Sequence, residues 1–108
     1  FFLPTDDAAR RAHILEVMCA TPHSVLVSGA EMIRDYDPTP AQGRVVAPAL
    51  YIAANEPSPR SDPARLKALL PQAEIGRTVG TGHFCQLEVP DQVNAMIDRF
   101  LTLALAEG

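Results

Sequence analysis

Tryptophan is absent from the 108 residues, and cysteine appears only twice, as Cys19 and Cys85. Two cysteines are too few for a disulfide framework and are not in metal-ligand spacing. Set among apolar neighbours, both read as buried, reduced thiols. No His/Cys/Asp/Glu set has metal-ligand spacing, and neither a metal nor an organic cofactor is implied. No apolar run approaches the ~20 residues that cross a bilayer. A basic stripe is missing too: nine cationic residues face thirteen acidic ones, giving a formal charge of −4 and a pI near 5.2. Arg10-Arg11 reads as a solvated helix face. Neither nucleic acid nor a membrane is therefore an expected partner. The opening "FFLPTDD" lacks the basic region of a signal peptide, which makes the cytoplasm the default compartment, although "FFLP" is an abrupt, apolar beginning.

What is present is an ordinary globular composition, 47% hydrophobic and 20% charged, at a length suited to one domain. Thr5, Asp6 and Asp7 offer caps to a first helix on which Leu15, Met18 and Cys19 share a face beside Ile14. Thr21-Pro22 ends it and can begin a second, with Thr21 as cap and Pro22 in the first turn, over roughly 22–35. Together these make a helical hairpin. "DYDPTPAQGR" is a loop. "VVAPALYIAA" then runs uncharged and apolar, the pattern of a strand buried on both faces of a parallel sheet. "NEPSPRSDP" is a second loop, and Asp62 can cap a short helix from Pro63 to Pro71. "AEIGRTV", 73–79, reads as a second strand. From Pro90 to Ala106 an amphipathic helix carries Val93, Ile97, Phe100, Leu101, Ala104 and Leu105 on one stripe.

Strand, helix, strand, helix makes the two strands parallel. A sheet of two parallel strands buried on both faces needs further strands, and the chain offers no other good candidate. The expected architecture is therefore part of a larger α/β fold whose sheet is completed by another segment or chain.

His83 follows the second strand in "GTGHF". Gly80 and Gly82 permit a tight backbone path that lifts the histidine over the sheet edge. Ligands bind there in open α/β sheets, and an imidazole suits general-base chemistry. The competing reading is a hydrogen-bonding loop histidine.

In order and spacing, Pro48-Ala49-Leu50-Tyr51-Ile52, Leu70-Pro71-Gln72-Ala73, Gly80-Thr81-Gly82-His83, Glu88-Val89-Pro90 and Phe100-Leu101 resemble the C-terminal section of the α/β-hydrolase superfamily. The resemblance covers almost the whole chain. It implies that residues 1–36 are the end of a helical cap and that 37–108 are the C-terminal part of the core, a parallel β-α-β-α unit. It also implies that His83 is the general base of a catalytic triad.

The superfamily's nucleophile sits in Gly-x-Ser-x-Gly, and no such motif occurs here. Ser28 in "VLVSGAE" is the nearest imitation and reads as a small residue of the second helix. Chain order is nucleophile, acid, histidine, so the resemblance places the serine and the oxyanion donors upstream of Phe1. The superfamily's usual acid position falls on Pro57, which cannot serve. Adjacent Glu56 can reach His83, and an upstream acid is the other main choice. Asp62, Asp35 and Asp37 remain as lesser candidates, each also explained as a cap or turn residue. Glu88 reads as a backbone-binding residue near the last helix. His13 and His23 read as exposed; Met18, Met32 and Met96 as core or cap-facing; Phe84 and Leu87 as a shield around His83.

The expectation is the C-terminal fragment or subunit of a serine-type, esterase-like hydrolase. Its partner would be an N-terminal segment carrying the serine, and its substrates small ester or acyl compounds. A homo-oligomer is compatible with all of this. The alternative is a non-catalytic, degenerate hydrolase subunit or interaction module that completes a partner's sheet.

Overall fold

The computed structural model describes residues 1–56 and 60–106. Its element order is α1 (Ala8–Cys19), α2 (His23–Asp35), a single 3₁₀ turn (Thr39–Ala41), β1 (Leu50–Ala53), α3 (Pro63–Leu69), β2 (Glu74–Arg77), α4 (Cys85–Glu88) and α5 (Pro90–Ala106). The protein is thus mixed α/β, with one two-stranded parallel sheet. Among the described residues no helix is long and apolar enough to cross a membrane.

Two helix starts carry a side-chain cap. Asp7 caps α1, accepting the Arg10 N–H at 2.7 Å. Asp62 caps α3, accepting from Ala64 and Arg65 at 3.0 and 3.1 Å, with Pro63 in the first turn. A cap of this kind satisfies amides that have no partner inside the helix. Asp62→Ala is therefore expected to destabilise the fold by about 1 kcal/mol, read as a lower urea midpoint at unchanged slope. α2 departs from the expected start. It begins at His23 with Pro22 itself in the cap position and no side-chain cap bond, so Thr21 does not cap it.

β1 and β2 pair in parallel, Leu50 opposite Glu74 through Ala53 opposite Arg77. Bonds from Glu74 N–H to Ala49 O and from Thr78 N–H to Ala53 O extend the ladder at both ends. α3 supplies the crossover that a parallel pair requires. α5 lies against β1 and α4. At Gly76 a side chain would meet Met96 Sδ at 2.6 Å, so the bare glycine lets α5 approach the strand.

The buried apolar set is small: Ile14, Ala53, Ala73, Cys85 and Val93. Three expectations of burial fail. Cys19 is exposed. Met32, Leu101 and Leu105 also face solvent. Neither strand is buried on both faces, since β1 is mostly half-buried and three of the four residues of β2 are exposed. A two-stranded sheet offers these apolar groups little surface to pack on. The surface of 7828 Å² compares with about 5,900 Å² for a compact monomer of this mass. The radius of gyration, 16.2 Å, compares with about 13 Å for a compact domain of this length.

Candidate active site

His83 and Glu56 meet at the carboxyl ends of the two strands. After β2 the chain passes Gly80, at φ +70°, a backbone conformation that L side chains rarely adopt. Thr78 and Thr81, both fully buried, join hydroxyl to hydroxyl at 2.8 Å beneath the turn. The Gln92 side chain of α5 brackets the Val79 peptide group, accepting its N–H at 2.9 Å and donating to its carbonyl at 3.2 Å. Gly82 lies so close to the Phe1 carbonyl that any side chain there would overlap it. That carbonyl accepts the His83 N–H at 2.7 Å. The turn is thus held from three sides before its imidazole touches anything.

The imidazole stands with Nδ1 2.7 Å from Glu56 Oε1. Glu56 follows β1 after two residues, so parallel pairing brings the two loops to one end of the sheet. The glutamate side chain is 6% exposed and the histidine 39%. No donor among the described residues meets Oε1 in good hydrogen-bonding geometry. The imidazole nitrogen is at the right distance but off the line. Catalytic hydrogen bonds are often misaligned before substrate binds. A buried carboxylate oxygen without a donor is costly, which favours placing the ring proton on Nδ1. The other oxygen, Oε2, accepts the Arg60 N–H at 3.3 Å.

Aromatic rings complete the surroundings. Phe1 packs edge-to-face on the imidazole at 4.8 Å and Phe84 at 5.1 Å, while Arg60 lies 3.5 Å over the Phe1 ring. A cleft of about 470 Å³ adjoins the pair, lined by Tyr51, Glu56, Arg60, Arg77, His83 and Cys85 among others. Small-molecule sites commonly have this size.

Protein-family models, curated proteins and solved structures alike offer no match to the chain. The site therefore stands on its own geometry.

The other candidates separate from it. Asp62 is occupied as the α3 cap. Asp35 is paired with its exposed neighbour Arg34 at 2.7 Å, and that bond holds its carboxyl below the usual range. It ends α2 and caps nothing. Asp37 accepts the hydroxyl and the N–H of Thr39, which lowers its carboxyl likewise. Ser28 lies on α2, in a shallow apolar hollow with Val25 and Met32. His13 and His23 are exposed. Leu87 is 48% exposed and shields nothing fully. Glu88 binds backbone, at the Gly82 N–H of the histidine turn and not at the last helix. Pro57 lies outside the described residues. Among those residues no three His, Cys, Asp or Glu side chains gather as a metal site requires.

Sequence reasoning did not find Phe1, Asp6, Thr78, Thr81 or Gln92 as supports of the turn. Thr78 and Thr81 act through a local contact three residues apart, and Phe1, Asp6 and Gln92 through contacts that only the fold creates.

Proposed function

We propose that this chain is the C-terminal portion of a serine-type, esterase-like α/β-hydrolase, with His83 as general base and Glu56 as the triad acid. The 2.7 Å approach of the buried Glu56 carboxylate to His83 Nδ1 carries this reading. With the ring proton on Nδ1, beside the carboxylate, Nε2 is the nitrogen that takes the proton from a serine hydroxyl. It later returns that proton to the leaving alkoxide. Glu56 fixes the tautomer and stabilises the imidazolium while it exists. The serine lies upstream of Phe1 or on a partner chain, together with the oxyanion donors. Residues 1–36 form the end of a cap over small ester or acyl substrates, and the cleft beside the pair accepts part of the substrate.

The incomplete sheet and exposed helices agree with a core finished by other strands. They also favour the second reading, a non-catalytic subunit that completes a partner's sheet: Val25, Leu26, Met32, Ile33 and Tyr36 of the α2 region are all at least half exposed, and large apolar patches mark interaction surfaces.

Treating the native, purified protein with a serine-reactive fluorophosphonate and weighing every polypeptide intact separates the two. The hydrolase reading expects one covalent label on a serine, in a polypeptide segment outside these 108 residues. A lone, unlabelled 11.7 kDa monomer overturns it.

A further inference from the structure

Two parts of the chain, α4 and the segment 1–6, converge on Gly82. Glu88 of α4 accepts the Gly82 N–H at 3.4 Å. Asp6 borders the same glycine: a side-chain carbon on Gly82 would stand 3.3 Å from Asp6 Oδ2. The Asp6 and Glu88 carboxyls thus both border Gly82. Asp6 also closes residues 3–6 into a turn, its Oδ2 accepting from Leu3 N–H at 2.6 Å and its own N–H donating to Leu3 O at 3.1 Å. The far end of the same segment is Phe1, whose carbonyl takes the His83 N–H and whose ring lies edge-on to the imidazole. Segment 1–6 is therefore a strap across the histidine turn, bonded at one end to His83 and set at the other against Gly82.

We propose that Glu88 is a positioning residue for His83, keeping the strap closed through the Gly82 amide and the Asp6 carboxyl. What this does for catalysis rests on the hydrolase reading above; the placement itself does not. A second carboxylate near Glu88 disfavours its charged form, because like charges repel. The groups facing Glu88 are Asp6 from the strap, Arg10 from α1 and the Gly82 N–H from the turn. Burial pushes the Glu88 carboxyl above its usual range, and Asp6 adds to the rise, while the Gly82 N–H and Arg10 oppose it. A raised carboxyl stabilises the closed arrangement in acid, and that contribution is lost as pH rises through its raised value. The strap is thus tightest in acid and loosens as Glu88 ionises. His83 is then freer to move and its ring more open to solvent.

Exchange of the His83 backbone amide, followed by ¹⁵N NMR and corrected for the intrinsic rate, reports the closed strap directly. In the wild-type chain its protection is expected to fall several-fold between about pH 4 and pH 8, the span around and above ordinary glutamate titration. Glu88→Gln keeps an acceptor for Gly82 and adds a donor for Asp6, so protection becomes independent of pH. Glu88→Ala loses protection throughout, while amides in the middle of α5 keep theirs. Should Glu88→Ala fail to fold, Glu88→Gln decides the matter with Asp6→Asn, which also removes the repulsion and flattens the profile. Protection that is already flat in the wild type, or that Glu88→Gln leaves sloping, overturns the proposal. Absence of ester turnover in the native protein counts against the hydrolase reading alone, because amide exchange needs no nucleophile.

Discussion

His83→Ala is expected to lower kcat for ester hydrolysis by the assembled protein about 10⁶-fold, the scale of loss when a triad histidine is removed from a serine hydrolase. The substitution should leave the fold intact. The bond that ties this residue to Phe1 comes from its backbone N–H, and the half-exposed ring fills no deep core. Steady-state turnover of a small activated ester, with circular dichroism as a control on folding, checks both points. Under the rival reading the complex keeps whatever activity its partner has. Unchanged turnover on a folded variant would sink the catalytic assignment.

Glu56→Gln should cost about 10⁴-fold in kcat, with little change in KM, since a triad acid acts on the charged imidazole of the transition state and not on bound substrate. Glutamine has nearly the same volume, so the cavity at this buried position stays filled. Its carbonyl can still accept the Arg60 N–H that Glu56 Oε2 accepts now. What changes is the partner of Nδ1. An amide N–H aimed at the ring drives the proton to Nε2, the wrong tautomer for a base, and no negative charge remains to stabilise the imidazolium. A loss below tenfold would place the acid elsewhere in the assembled protein, and Glu56 would then be an orienting neighbour only.

Much of this arrangement is visible in the residue pattern, because it depends on local rules. Pro90–Ala106 folds as a helix over the span its periodicity predicts. Asp62 and Pro63 start α3 as a capping aspartate and a first-turn proline should. The Gly-Thr-Gly turn presents His83 because glycine alone tolerates the Gly80 dihedral and the close approach at Gly82. Glu56 could be named only as a neighbour of Pro57. Its meeting with His83 depends on parallel register, which no single stretch encodes.

Longer-range features stay hidden for the same reason. The four-residue helix Cys85–Glu88 is too short to show a period. The bracket from Gln92 to Val79 and the approach of Asp6 to Gly82 join residues far apart in sequence. Burial was the least legible property. Cys19, Met32 and Leu105 have core chemistry but lack a layer to pack against, and patterning says which face is apolar without saying what covers it.

The protonation state of one ring tests the central claim most directly. In ¹⁵N-labelled protein, at a pH where His83 is neutral, the two imidazole nitrogens report which of them carries the hydrogen. A proton on Nδ1, with an unprotonated Nε2 free to act as base, is expected in the wild type, and Glu56→Gln should reverse it. A neutral ring already protonated at Nε2, unaltered by Glu56→Gln, would contradict the pairing on which the proposed chemistry rests.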